Sequence, residues 1–490
     1  MSTTKRTILM TGALPYANGP IHIGHLVEYI QADIWSRFQK MRGHDCTFVC
    51  ADDTHGTPIM IKARELGVRP EDYVAQSQKE HMQDFADFEI AFDHYSSTNS
   101  EENKQLCEDI FTKLKANGLI TVRTIDQLYS EQDKMFLPDR FIKGTCPKCG
   151  EPDQYGDACD KCGATYSPTE MKDPRSAVSG APLTLKPSEH IFFTLNKKRD
   201  FLINWIPKHT DSEVSNKQME WFKEDLRDWD ISRDEPYFGF EIPGHPKKYF
   251  YVWVDAPIGY VSSSWQWLKK NGRNLDDYWK AGHATADKTE IYHFIGKDIA
   301  YFHTLFWPAM LDGSGYKTPT RVMVHGHLTV NGEKMSKSKG TSISARTYLN
   351  NLAPSYLRYY YACKLGPTPS DLDLNMDDFV SRVNSDLIGK ITNLGSRGAQ
   401  MLTKKMDGHM SETLSPEGQK LVALAQSKSE IIAGFFEGRE YTKATSEIRA
   451  LADECNRYFD EKAPWKSLDV DPEATREVLP STLHIFRILA

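Results

Sequence analysis

The chain has 490 residues, 40% of them apolar and 26% charged, with a net charge of -7. Its length predicts two to four domains at about 100 to 200 residues each, and its apolar share is enough for sizeable cores. A mean hydropathy of -0.54, with no run of about 18 uncharged apolar residues, excludes a membrane-spanning helix; the negative charge leaves room for local basic surface facing an anionic partner.

Residues 1–6 carry two basic side chains, but only Thr7 to Met10 follow as an apolar stretch, too short for the core of a secretion signal. A cytoplasmic chain with no membrane partner is therefore expected. Nine cysteines are an odd number and four form two tight pairs, which favours metal in a reducing compartment over a disulfide framework. Cys46, Cys50, Cys107, Cys363 and Cys455 are scattered, and each reads as a small buried hydrophobe.

In chain order, a strand is expected at Arg6 to Gly12, a helix from His22 to about Arg42, a strand at Cys46 to Ala51 and further helices through Asn117. Short apolar strands alternating with 3.6-residue periodicity predict a parallel sheet with crossovers over residues 1–118. From 119 to 230 short strand-like pieces, "LITVRT" and "IFFTLN", surround a cysteine-rich knot at about 141–166, which reads as an insertion. The α/β signal returns over 231–330 with "KYFYVWVDAPIGY", "EIYHFIGKD" and "RVMVHGHL", all three read as sheet strands. That would make one parallel-sheet nucleotide-binding domain, split into two halves. Residues 331–388 read as a lysine-bearing loop and a junction. Residues 389–490 read as an α-helical bundle of about four helices, with loops at "DGHMSETLSPEG" and "EKAPW". The last residues, "TREVLPSTLHIFRILA", are amphipathic with no glycine stop, which fits a truncated chain or a helix that simply ends.

"PYANGPIHIGH", residues 15 to 25, falls at the junction of the first strand and first helix, where a parallel α/β sheet binds phosphate. Neither G-x-x-x-x-G-K-[ST] nor G-x-G-x-x-G is present. His22 and His25 stand three apart on one helix face and can reach phosphates. Gly24 between them lets a flat purine or ribose lie on the backbone. A second stretch, "EKMSKSKG" at Glu333 to Gly340, places Lys334, Lys337 and Lys339 with Ser336 and Ser338 in a glycine-flanked loop able to close on a polyphosphate. Imidazoles and lysines with no evident base or nucleophile suit charge stabilisation at phosphorus, as in attack of a carboxylate on the α-phosphate of ATP. Taken singly, H-x-G-H is an ordinary helix cap and the lysine loop a solvated turn; their order and separation of about 310 residues carry the reading.

"CPKCGEPDQYGDACDKC" supplies Cys146, Cys149, Cys159 and Cys162 in a C-x2-C-x9-C-x2-C array. Four thiolates fit one tetrahedral Zn(II) with no open position, hence a structural ion, worth on the order of 10 kcal/mol to a small insert. A redox pair is the alternative, disfavoured by Gly150 and Gly163 at the turns.

The histidine and lysine stretches resemble the two signatures of class I aminoacyl-tRNA synthetases. The order of the other parts, as far as Trp465, resembles the bacterial type of the methionyl family with a single four-cysteine knuckle, over essentially the whole chain. The resemblance implies a Rossmann-like catalytic domain and an ATP-dependent ligase that forms methionyl adenylate and passes methionine to initiator and elongator tRNA(Met). His22, His25, Lys334 and Lys337 would be catalytic, and Gly24, Gly296, Asp298, Leu328, Ser336 and Ser338 would contact ATP. Ala13, Leu14, Tyr16, Trp253, Ala256, Pro257, Tyr260, Ile299 and His303 would line the methionine pocket, with Asp53 on the α-ammonium group. Asn393, Arg397 and Trp465 would read the anticodon. Ala256 and Ile299 read equally well as core, Trp465 as packing and Arg397 as a solvated helix residue. Mg(II) is expected with ATP, and a homodimer through a C-terminal region outside this chain. A synthetase for another aliphatic amino acid and a non-catalytic tRNA-binding zinc protein are the alternatives.

Overall fold

The computed structural model describes residues 4–156, 159, 161–164, 166–335, 342–468 and 470–489, without the side chains of Arg140 and Ala474. The chain opens with β1 (Thr7–Gly12), α1 (Ile23–Met41), β2 (Asp45–Asp52), α2 (Thr57–Leu66), α3 (Pro70–Asp87), β3 (His94–Ser97) and α4 (Glu101–Ala116). A long antiparallel hairpin follows, β4 (Ile120–Ser130) against β5 (Leu183–Phe193), paired from Ile120 with Phe193 to Ser130 with Leu183. Then come α5 (Val252–Lys270), β6 (Thr289–Gly296), α6 (Trp307–Ser314), β7 (Arg321–His325), β8 (Leu328–Val330), α7 (Pro354–Lys364) and β9 (Leu372–Leu374). The chain closes with α8 (Asn393–Lys405), α9 (Pro416–Glu437), α10 (Tyr441–Lys462) and α11 (Pro472–Leu489).

Five strands form one parallel sheet in the order β7-β6-β1-β2-β3. β6 and β7 come from beyond the hairpin, so the sheet is assembled from chain on both sides of the insertion. Both faces are buried, which explains the uninterrupted apolar strands. Leu9, Val49, Ile291 and Val322 pack on one face, and Ile8, Met10, Phe48, Phe294 and Met323 on the other, in the two-residue alternation of a strand. The five scattered cysteines are all buried.

One expected strand is a helix. In "KYFYVWVDAPIGY" only Lys248–Phe250 is strand, and from Val252 the chain is α5. A helix enclosed by α4, β2 and β3 has little polar face to give it away: Val254 through Ser264 are all buried. A short apolar run of this kind is ambiguous between strand and helix.

Between β4 and β5 lies a three-stranded sheet of Ile142–Thr145, Gln154–Tyr155 and Lys172–Ser176, over a small core of Leu128, Met135, Leu137, Ile142 and Met171. β8 pairs in parallel with β9 and antiparallel with Glu333–Lys334, which fixes the start of the lysine loop. Arg382–Thr392 winds as a π-helix into α8, and the last four helices enclose Leu394, Ala425, Leu451, Ala452, Cys455 and Ile485. The turn between α9 and α10 docks at the N-terminal edge of the sheet. There Glu437 accepts hydrogen bonds from Arg6 (2.9 Å) and Gln39 (2.6 Å), and Arg6 also holds Glu290 at 2.7 Å.

Candidate active site

In the strand order the connections reverse between β1 and β6, and a crevice outside the carboxyl ends of such strands is where open α/β sheets bind ligands. A cleft of about 1180 Å³ opens there. Ala13, Leu14, Tyr16, His22, Gly24, His25 and Asp53 line it from before the insertion, and Trp253, Gly296, Asp298, Ile299, Leu328 and Lys334 from after it. The insertion supplies a further wall through Gln127, Phe136, Asp139 and Phe141. Ala256, Pro257, Tyr260 and His303 are buried behind the lining. Ser336, Lys337 and Ser338 lie outside the described residues.

His22 and His25 cap α1 reciprocally: the His25 backbone N–H donates to His22 Nδ1 (3.2 Å), and the His22 N–H to His25 Nδ1 (3.3 Å). A backbone N–H can only donate, so each Nδ1 is an acceptor and each ring proton sits on Nε2. The two rings stack at 3.5 Å, 14° from parallel. The result is a pair of neutral imidazoles held by the helix end they cap. Gly24 lies beneath Met335, and a Cβ there would come within 2.3 Å of the Met335 methyl and 3.1 Å of the His22 ring. The first motif and the start of the lysine loop thus touch across a glycine.

The deep wall is acidic. Asp53 is buried and its Oδ1 has no hydrogen-bond partner. Burial, then the charges of Asp255 and Asp52, push its carboxyl well above the usual range. Asp255, fully buried and bonded to His55 Nδ1, also has a bare Oδ1; burial raises it too. Glu28, on the helix turn after His25, is pushed up to about 7 by burial against the opposing pull of His325. Such carboxyls favour a proton or a cation as partner.

Behind the lining, His303 Nδ1 faces the Ile299 carbonyl at 3.0 Å and Nε2 faces the Tyr260 hydroxyl at 2.8 Å. The carbonyl only accepts, so the ring proton is on Nδ1 and Tyr260 donates to Nε2. Burial holds this ring down at about 4, neutral at ordinary pH. Trp253 lies flat on Phe302, centroids 3.9 Å apart. The lining on this side, Leu14, Trp253 and Ile299, is apolar, and the polar atoms of Tyr260 and His303 behind it satisfy each other, as a site for a flexible apolar ligand requires.

Arg233, on the cleft wall with its guanidinium 3.7 Å over the Tyr251 ring, was not a sequence candidate. Neither were Glu28, Asp139, Tyr237, His325 or Met335, which also line the cleft. Glu28 stands three residues after His25, a spacing that carries it onto the same helix face, and His325 opens "HGHL". For Arg233 and Asp139 no local signal exists: Asp139 lies within the insertion, and Arg233 lies beyond it, next to Asp234, which bonds Ser188 and His190 of β5.

The four cysteine sulfurs lie within 4.8 Å of one another and could hold a metal ion. Cys146 and Cys162 sulfurs are 3.9 Å apart and those of Cys149 and Cys159 3.6 Å, against about 3.8 Å for the edge of a thiolate tetrahedron around Zn(II). The two turns are twins: Gly150 N–H donates to Cys146 O and Gly163 N–H to Cys159 O, with φ of 76° and 70° at the glycines. That left-handed conformation suits glycine.

In the helical region Asn393 and Arg397 stand one turn apart on α8. The Arg397 guanidinium lies 4.6 Å from the Phe459 ring centre and 5.4 Å from that of Trp465, and bonds Asp460 at 2.6 Å. Trp465 keeps 45% of its surface exposed. Arg397 and Trp465 are neighbours in space, although 68 positions separate them in the chain (465 less 397).

The family model described as tRNA synthetases class I (M) matches residues 8–399, and that for the anticodon binding domain of methionyl tRNA ligase matches 410–490. A methionine–tRNA ligase of Bdellovibrio bacteriovorus is 61% identical over 487 residues, covering 99% of this chain and 70% of that protein. Two structures of Mycobacterium tuberculosis methionyl-tRNA synthetase, both described with methionyl-adenylate, align with a TM-score of 0.77. They are 24% and 25% identical and cover 99% of this chain and 90% of theirs.

Proposed function

The chain belongs to the methionyl family of class I tRNA synthetases, and from that premise we propose how its cleft performs the family's two-step ligation. Methionine and ATP give methionyl adenylate and pyrophosphate; the methionyl group then passes to tRNA. The observation that carries the reading is the polarity of the cleft: a bare buried carboxylate, Asp53, deep in one wall and two Nε2–H donors at the end of α1.

Asp53 takes the α-ammonium group, and the apolar wall of Leu14, Tyr16, Trp253 and Ile299, backed by Ala13, Ala256, Pro257, Tyr260 and His303, takes the side chain. The methionine carboxylate, already a nucleophile, attacks the α-phosphorus in line, and no side-chain base is needed. His22 and His25 donate to the phosphate oxygens as charge builds up, with Lys334 and Lys337 following the leaving pyrophosphate. Gly24, Gly296, Asp298 and Leu328, with Ser336 and Ser338, hold the nucleotide. Mg(II), when bound with ATP, neutralises triphosphate charge. The four cysteines hold one structural Zn(II), the thiolate spacing being its support. Asn393, Arg397 and Trp465 read the anticodon of initiator and elongator tRNA, Trp465 offering a stacking face. No described helix is long and apolar enough to cross a membrane, and the cytoplasm, where tRNA is charged, is the proposed location. The proposed divisions are a catalytic domain at 1–118 and 231–330, the insertion at 119–230, a junction at 331–388 and an anticodon domain at 389–490.

The test is exchange of labelled pyrophosphate into ATP with each of the twenty amino acids. Methionine-dependent exchange is expected; exchange driven by valine or leucine instead overturns the pocket assignment. His25→Ala should lower kcat by about 3 to 4 kcal/mol of transition-state stabilisation, two to three decades, with KM for methionine nearly unchanged. Gly24→Ala should act differently. The added methyl displaces the flexible end of Met335 and occupies the face on which the nucleotide would lie, so KM for ATP should rise roughly tenfold to a hundredfold, about 1.4 to 2.7 kcal/mol, with kcat less affected. An unchanged KM for ATP would show that nothing flat rests on this glycine.

A further inference from the structure

His81 on α3 has no place in the chemistry above, yet both its ring nitrogens are committed. It is 1% exposed. Nδ1 lies 2.8 Å from Asp52 Oδ1, and Nε2 lies 2.8 Å from the carbonyl oxygen of Gly19. The Gly19 carbonyl can only accept, so Nε2 carries a proton; a neutral imidazole has only one N–H, so a ring that donates to the Asp52 carboxylate as well is imidazolium.

The two partners are placed next to the reacting groups. Gly19 belongs to the loop 13–22 that joins β1 to α1 and ends on His22. Its other anchors include Ala17 N–H on Asp53 O (2.8 Å), Asp53 N–H on Pro15 O (2.9 Å) and, at the far end, Ala345 N–H on Ile21 O (2.8 Å). Between Ala17 and Ile21 the His81 bond is the tie to the Gly19 carbonyl. Asp52 ends β2 one residue before Asp53. Its Oδ1 also accepts from the Tyr95 hydroxyl, and its Oδ2 has no hydrogen-bond partner. Among the described residues its ion pair is with His81. Without that charge Asp52 would stand uncompensated beside Asp53, whose carboxyl the Asp52 negative charge already pushes up, after burial and Asp255.

Resting on the methionine-activation reading, we propose that His81 is a positioning residue of the synthetic site: a fixed imidazolium that ties the His22 loop to the end of β2 and neutralises Asp52, leaving Asp53 as the carboxylate for the incoming ammonium group. The groups facing the ring are Asp52 from β2, Tyr95 behind it from β3, the Gly19 carbonyl from the loop, and Asp84 one turn along α3, itself held by Arg346 at 2.6 Å. Burial pulls the ring toward neutrality, but the bond and charge of Asp52, the Gly19 carbonyl and Asp84 outweigh it, so the ring stays charged above the usual imidazole range. The folded-state value is raised. The tie is therefore complete at and below ordinary imidazole pH and is lost as pH rises through the raised value.

The experiment uses the full chain, measuring methionine-dependent pyrophosphate exchange from about pH 6 to 9 for the unaltered protein, His81→Gln and Asp52→Asn, with ring-carbon NMR of labelled histidine. A glutamine amide can satisfy one of the two acceptors, so His81→Gln, folded by circular dichroism, should lose about 100-fold in kcat/KM for methionine and lose the alkaline decline. Asp52→Asn keeps an oxygen for Nδ1 but removes the charge, and should move that decline to lower pH. In the unaltered chain the His81 ring should give the imidazolium signal at neutral pH, a readout that holds even if His81→Gln does not fold. A folded His81→Gln with unchanged kcat/KM, a decline that survives in it, or a neutral His81 ring overturns the proposal. Absence of exchange in the unaltered chain overturns the activation reading and with it this role. That outcome is told apart from a failure of the imidazolium assignment by the His81 signal, which needs no turnover.

Discussion

Asp53→Asn is expected to separate activity from stability in opposite directions. The carboxylate lies buried with one oxygen unpartnered, so an ammonium group entering the cleft would find its counter-ion already desolvated. Removing one partner of a buried ion pair costs about 3 to 5 kcal/mol, so kcat/KM for methionine should fall by roughly two to four decades. The free protein should respond the other way. Burial and two neighbouring carboxylates hold the Asp53 carboxyl well above its usual range, which means that the folded state resists ionising it. The penalty is absent below the unfolded value, grows as pH rises through the interval between the two values, and is fully present above the folded one. Asparagine carries no such penalty. The variant should unfold at a higher temperature than the unaltered chain near neutral pH and lose that advantage in acid. Equal melting curves at neutral pH, or a variant that keeps its methionine kcat/KM, would sink the assignment.

Metal removal is the second large effect. The segment between β4 and β5, residues 131–182, shares with Leu128 of β4 a core of five buried hydrophobic residues, too few for independent stability, since below about 70 to 80 residues a structural metal or disulfides usually make up the deficit. The cysteine tetrahedron should supply on the order of 10 kcal/mol. Chelation is expected to release one zinc per chain, lower the thermal midpoint and open residues 146–176 to proteolysis. Exchange should fall as well, although no cysteine borders the cleft. Gly156 N–H bonds the carbonyl of Asp139 at 3.1 Å, and Asp139 with Phe141 forms part of the cleft wall, so the knuckle and the wall share a backbone. A chain that melts and turns over identically after verified zinc loss would reduce the four cysteines to bystanders.

The sequence carried the local parts of this site and missed those that depend on distant chain. β1, α1 and β2 were legible because two buried faces demand continuous apolar strands and a helix over them demands 3.6-residue spacing. The cysteine array was legible because four ligands at fixed short spacings leave few other geometries. α5 was misread as strand for the reason that hides any fully enclosed helix: with apolar residues on nearly every side, it has no period to detect. Arg233 and Asp139 were invisible because their place in the wall depends on where an eleven-residue pair of strands returns the chain. Glu28 stood in plain view three residues after His25, and its partner His325 is nearly 300 positions away (325 less 28).

The docking of the α9–α10 turn against Arg6 has a geometric corollary for what the enzyme must grip. Arg6 precedes β1 at its amino end, while the cleft opens beyond Gly12 at its carboxyl end. Six residues of strand at about 3.3 Å each put about 20 Å of rigid sheet between them. The α9–α10 turn of the helical bundle therefore braces one pole of the slab, while the cleft opens at the other. On the roles proposed for Arg397 and Trp465, a ligand read by the bundle and esterified in the cleft has to span at least the thickness of this sheet; an acceptor shorter than that satisfies the reacting end alone.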